Sequence, residues 1–131
     1  MIRSFFPVLI LLTHFFDPEL FQGDIVDNIA QLFKSANAKE ISKNFAPAVE
    51  LSVNDNEDSY SKAQAEQILR DFFVKSPPVS STVVHLINTN PNYRFGVLSL
   101  ATRGGKYRVA VTLKKTGNTF FITELRIEPD K

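Results

Sequence analysis

The sequence predicts an α+β domain in which helices pack on a bent, mostly antiparallel sheet. Three observations carry that prediction. The first half holds segments whose apolar residues recur at helical spacing behind capping signals. The second half holds four strand-like runs separated by short turn signals. The last of these runs changes phase part-way along, as a bulged strand does.

Taken in order, Asp24 caps a helix whose apolar residues Ile25, Ile29, Leu32 and Phe33 share one face. Ser35-Ala36-Asn37 breaks it. Asn37 followed by Glu40 then makes a capping-box-like start for a short second helix carrying Ile41 and Phe45, which Pro47 ends. Val49, Leu51 and Val53 alternate with Glu50 and Ser52, the period-two pattern of a strand with one buried face. A polar segment from Asn54 to Ser59 leads to a third helix. Ser61 and Gln64 form its capping box, and Ala65, Ile68, Leu69 and Phe72 line its face with Phe73 beside them. Ser76-Pro77-Pro78 stops that helix.

Four strands are expected next: Ser80–Asn88, Tyr93–Thr102, Lys106–Lys115 and Thr119–Glu128. The signals between them (Asn90-Pro91-Asn92, Arg103-Gly104-Gly105 and Thr116-Gly117-Asn118) are short enough for hairpins, so the four strands form an antiparallel meander. In the last strand the apolar positions run Phe120, Ile122, then Leu125, Ile127, and a β-bulge near Thr123-Glu124 restores one buried face. A sheet bent by such a bulge, with helices on its concave side, makes a cone with a cavity.

The chain has 131 residues, 44% hydrophobic and 22% charged, a size and composition that fit one globular domain and exclude a disordered tail or a multi-span membrane protein. It contains no cysteine, which removes disulfides, thiolate metal sites and a cysteine nucleophile, and no cofactor is implied. Two histidines, His14 and His85, are too few for a His-rich metal site. The net charge of +1 hides an asymmetry: residues 24–75 hold six Lys/Arg against nine Asp/Glu, and residues 76–131 hold eight against three. Packed layers with complementary fields explain that split better than a nucleic-acid surface, which needs denser Lys/Arg interleaved with stacking aromatics.

Arg3 followed by the apolar run Phe5 to Leu12, extended through Phe15 and Phe16, resembles a signal-peptide core and is too short for a stable membrane span. Residues 1–22 are thus read as a leader and 23–131 as the domain, with processing near Gln22 or Gly23 although no pair of small residues marks the site. The alternatives are an uncleaved apolar arm or a misassigned start. A secreted domain without disulfides relies on its core, which fits a periplasm-like space.

The order helix, short helix, strand, helix and four antiparallel strands resembles the nuclear transport factor 2-like (NTF2-like) fold, shared by ketosteroid isomerases, scytalone dehydratase and many non-catalytic domains. Within it, the chain is similar to a family of small secreted proteins of unknown function common in Bacteroidota. The residues carrying this likeness are Ser35 to Ser42 with Phe45, the helix from Ser61-Lys62-Ala63-Gln64-Ala65 through Phe72-Phe73, Val83-Val84-His85, and Leu125-Arg126-Ile127-Glu128. These motifs are mostly structural and imply a fold rather than an activity.

Proton-transfer enzymes on such a cone hold a carboxylate or histidine in an apolar cavity opposite a hydrogen-bond donor. Asp71, at the flank of its helix, and His85 are the candidates here. His85 points inward with Val83 and Ile87, or outward while Val84 and Leu86 fill the core. Tyr60, Tyr93 and Tyr107 are possible donors, and each reads equally as an ordinary sheet tyrosine. The acidic residues Asp55, Glu57 and Asp58, with Glu66 further on, do not make a calcium loop, because Tyr60 occupies the required glycine position. Gly104-Gly105 precedes no helix and reads as a turn rather than a phosphate cradle.

With twelve phenylalanines, the space between the third helix and the sheet is expected to be an apolar pocket or a filled core, bordered by Phe33, Leu69, Phe72, Tyr107 and Phe121 with His85 beside them. The strand Tyr93–Thr102 is apolar on both sides, so Phe95, Val97, Ala110 and Thr112 are candidate homodimer residues. The expected function is a secreted, non-catalytic binding domain for a small apolar ligand or an envelope protein. The alternatives are a small lyase or isomerase of the ketosteroid-isomerase type using His85 or Asp71, and a subunit that completes a larger envelope assembly. The mature protein is expected to lack its first ~20 residues. Intact-mass measurement on protein from the envelope fraction checks this, and full-length chain in the cytoplasm overturns it.

Overall fold

The computed structural model describes residues 24–130, so the expected leader and His14 lie outside the described residues. Helix α1 spans Ile25–Lys34 and α2 Ala38–Ser42. Strands β1 (Phe45–Val53) and β2 (Asn56–Ser61) precede α3 (Lys62–Lys75), and β3 (Pro78–Ile87), β4 (Tyr93–Thr102), β5 (Gly105–Thr116) and β6 (Thr119–Pro129) follow. The six strands form one sheet in the order β2-β1-β6-β5-β4-β3. The expected meander β3 to β6 is present, and β1 adds to it parallel to β6 while β2 folds back antiparallel on β1. The sheet is therefore mostly antiparallel and the domain α+β.

The helix starts follow their caps. Asp24 accepts from Val26 N while the Asp27 carboxylate accepts from Asp24 N, and Ser61 with Gln64 repeats the arrangement at α3. Asn37 caps α2 by accepting from Glu40 N. Asp24 has a second role that sequence spacing does not reveal: its other carboxylate oxygen accepts from Arg94 Nε at 2.7 Å, in a pair whose Asp and Arg side chains are 11% and 19% exposed. Arg94 also covers the Phe120 ring at 4.6 Å. One aspartate thus starts α1 and ties it to β4.

Two expectations about the first half need correction. Phe45 and Pro47 belong to β1 rather than to the second helix. Pro47 fits because β1 leaves its β6 ladder between Phe45 and Glu50, so no donor is needed there. The polar segment from Asn54 to Ser59 holds a turn, as its acidic residues imply, but also most of a strand that is not expected between β1 and the third helix. Asn54 and Asp55 both adopt positive φ, 52° and 71°, the two-residue turn that matches strand twist, and β2 follows directly. Its alternation is invisible in hydropathy because Tyr60 alone is even half-buried.

The expected bulge in β6 is where the phase slip puts it. Thr112 faces Glu124 and Leu113 faces Ile122, which leaves Thr123 unpaired against β5. The interruption of the β1–β6 register falls between the same partners, Ile122 and Glu124. Strand β3 carries two more bulges, at Val79 and Val84, and these two residues are 59% and 55% exposed.

On the concave face α1 lies over β3 and β4, α3 over β1 and β2, and α2 bridges the two helices. Phe33 and Phe73 join α1 to α3 edge-to-face, with ring centroids 5.6 Å apart. The helices and sheet enclose one cluster that includes Ile29, Phe45, Leu98, Leu113 and Leu125. Close approach of α1 to β4 requires Gly96, since a Cβ there would overlap the Val26 side chain. Gly96→Ala is expected to cost about 1–3 kcal/mol through that overlap. Asp24→Ala is expected to cost about 2–4 kcal/mol by removing a cap and leaving Arg94 unpaired. Urea denaturation of the two variants checks both values.

Candidate functional site

The concave face is not completely covered. Beyond the C-terminal half of α3, the β1–β2 hairpin and the start of β5 leave a cavity of about 460 Å³, within the range of small-molecule sites. Leu51, Val53, Ile68 and Phe72 form its apolar floor. Asn54, Asn56 and Tyr60 of the hairpin supply polar groups on one side, and Ser76 and Tyr107 supply hydroxyls on the other. Asp71 and Lys75, one helical turn apart, complete the lining.

Packing explains why these residues meet. Phe72 stands edge-to-face on Tyr107 with centroids 5.0 Å apart, which fixes the end of α3 over the start of β5. Ser76 ends α3, its N–H donating to the Phe72 carbonyl, and is only 7% exposed. Its Oγ lies 3.5 Å from the Tyr107 hydroxyl, beyond the usual O–H···O length. The β4–β5 turn braces this corner. Arg103 N donates to the Pro77 carbonyl, and a Cβ on Gly104 would stand 3.3 Å from Ser76 Oγ.

The structure brings together some of the residues expected at the pocket and disperses others. Phe72 and Tyr107 line the cavity. Phe33 and Leu69 are fully buried in the core instead, so a larger side chain at Leu69 would disturb packing rather than fill a space. Phe121 precedes the buried Ile122 and pairs with the exposed Lys114, which puts it on the opposite face of the sheet. Asp71 lines the cavity but is exposed, and its Oδ1 accepts from the Gln67 amide at 3.1 Å.

His85 settles on the outer face. The bulge at Val84 breaks the alternation, so that Val83 and Leu86 both pack against the core while His85 and Ile87 face outward beside Val97 and Phe95. Neither simple alternation drawn from the sequence allowed for that arrangement. His85 is exposed, stands 6.5 Å from the Phe95 ring, and does not line the cavity that Asp71 borders. Among the described residues, no three His, Asp or Glu side chains are grouped to hold a metal ion, and no helix is long and apolar enough to cross a membrane.

The expected dimer residues Phe95, Val97, Ala110 and Thr112 do share the outer face, in two adjacent rows of the β4–β5 ladder. Val97 is already 1% exposed within one chain, whereas Phe95, Ala110 and Thr112 are half-buried. The other side of this face centres on Arg126, which pairs with Glu57 and Glu128 over the buried Ser52. Slight burial works against the Arg126 charge, but Glu57, Glu128 and Glu124 outweigh it and hold its pKa above the ordinary value.

Comparison with known proteins agrees with the architecture. The model of the family DUF4783, a domain of unknown function, matches residues 26–128. A solved DUF4783 family protein from Bacteroides ovatus is 27% identical with a TM-score of 0.74, over 79% of this chain and 93% of that one. Another from Bacteroides uniformis is 24% identical with a TM-score of 0.78, over 82% and 99%. A designed protein named for NTF2 with a long sheet shares the fold at 17% identity and a TM-score of 0.63, over 78% and 94%. No curated protein matches the chain. With its sequence matched over nearly the whole described domain, its helices on one face of a curved six-stranded sheet and NTF2-like designs among its neighbours, the chain belongs to the DUF4783 family, a domain of unknown function on an NTF2-like fold.

Proposed function

We propose that the domain is a secreted or periplasmic binding module that takes a small, largely apolar molecule into the cavity without catalysing a reaction on it. The observation that carries this reading is the cavity itself: about 460 Å³, with Leu51, Val53, Ile68 and Phe72 as its apolar lining and hydroxyl and amide groups converging on it. The two groups that an isomerase or lyase would use do not share a site. His85 lies on the outer face, and Asp71 is exposed and held by Gln67, the opposite of the apolar burial such a base needs.

A second reading rests on the outer face, where Ile87 is 41% exposed beside the half-buried Phe95. This patch supports pairing of two copies through their sheets. Because Val97 is already covered, Phe95 and Ile87 would supply the contact.

Two experiments check these readings. The neutral fluorophore N-phenyl-1-naphthylamine should brighten on binding the domain, and Ile68→Trp, which fills the cavity floor, should abolish the signal while the thermal melt stays cooperative. Unchanged binding in that variant, or none in the native domain, overturns the cavity reading. Light scattering should report twice the monomer mass, reduced to the monomer by Phe95→Glu through burial of an unpaired charge. A clean monomer at high concentration overturns the dimer.

A further inference from the structure

We propose that the cavity selects an uncharged ligand of roughly one or two rings that carries an oxygen acceptor (a ketone, ester or amide carbonyl), and that the Ser76 and Tyr107 hydroxyls hold that oxygen. This rests on the cavity reading above and adds the chemistry of the ligand.

The lining contains two kinds of polar group, and their burial differs. Asp71 and Lys75 carry opposite charges one turn apart on α3, and both are exposed. Neither makes an ion pair among the described residues. In a water-filled mouth such charges are screened and gain little from a ligand of either sign. A charged ligand would still lose hydration on reaching the apolar floor of Leu51, Val53 and Phe72. The lining therefore favours no net ligand charge.

The hydroxyl pair is different, because Ser76 is more than nine-tenths buried and opens toward the cavity. Its Oγ and the Tyr107 hydroxyl stand 3.5 Å apart, too far for a good mutual hydrogen bond. Each O–H has a proton to donate, and one carbonyl oxygen has two lone pairs to accept them. An acceptor set beside the pair satisfies both donors, which is worth more in this sheltered corner than an exposed contact at the mouth. The geometry is also rigid. Tyr107 is held by Phe72, and Ser76 is held by the α3 terminus and by the β4–β5 turn, whose Arg103 N–H donates to the Pro77 carbonyl beside it.

Calorimetry with a matched series tests this. 4-Phenyl-2-butanone should bind at least about ten-fold more tightly than 3-phenylpropionate and than 3-phenylpropylamine. Tyr107→Phe keeps the ring contact with Phe72, and Ser76→Ala removes the other donor; each should weaken the ketone roughly three- to ten-fold, and by more than it weakens N-phenyl-1-naphthylamine, which carries no oxygen acceptor. Tighter binding of the acid or the amine would hand selectivity to Lys75 or Asp71 and overturn the proposal. So would ketone binding indifferent to both substitutions. If no member of the series and no neutral fluorophore binds, the cavity reading fails and this one with it.

Discussion

The single unpaired residue Thr123 in β6 is the constraint on which the rest of the molecule depends. Beside it the β5 register steps by one, and the β1 register on the other side is interrupted from Phe45 to Glu50. A bulge bends its strand and increases local twist, and here both neighbours of the central strand are affected at one level. The bend creates the concave face on which α1 and α3 meet through Phe33 and Phe73.

Much of this was legible in the residues, because the signals were local and strong. The cap at Asp24 and the capping-box signals at Asn37 and Ser61 marked helix starts, turn residues separated the meander strands, and the slip from Ile122 to Leu125 located the bulge to within a residue. What escaped depends on partners distant in sequence or on strands without an apolar face. β2 is polar at nearly every position, and the Asn54-Asp55 turn was its main signal. The parallel pairing of β1 with β6 leaves no mark in either strand alone. The bulge at Val84 decided the direction of His85, yet Val83-Val84-His85-Leu86 admits either alternation until the register is known. The Asp24–Arg94 pair joins positions seventy residues apart. Ser76 read as a helix stop, which it is, and its second role beside Tyr107 needed the β4–β5 turn to be placed against it.

The charge asymmetry also acquires a different meaning. Acidic front and basic back halves suggested two layers with complementary fields, but β1 and β2 lie in the same sheet as β3 to β6. The halves are joined through individual contacts instead: Asp24 with Arg94 beneath α1, and Glu57 with Arg126 across the outer face. The first is largely buried and specific. The second is exposed to solvent and contributes little to stability.

The sheet also limits how the domain can meet other molecules. An exposed edge strand invites pairing with a further chain, and both edges here carry devices against it. β2 is short and bears Glu57 and Asp58, while β3 is interrupted twice by bulges that turn Val79 and Val84 outward. Strand addition is thereby disfavoured at either end. Of the two faces, the concave one carries the helices and the main hydrophobic cluster with the cavity at the end of α3, and the convex one carries the Arg126 charge cluster and the apolar patch around Phe95. The two proposed contact regions are the cavity, whose corner brings Phe72, Tyr107 and Ser76 together, and the patch around Phe95 on the opposite side of the same sheet. They are separated by the β-sheet itself, so substitutions at Ile68 and at Phe95 act on independent surfaces of one rigid layer and their effects should add.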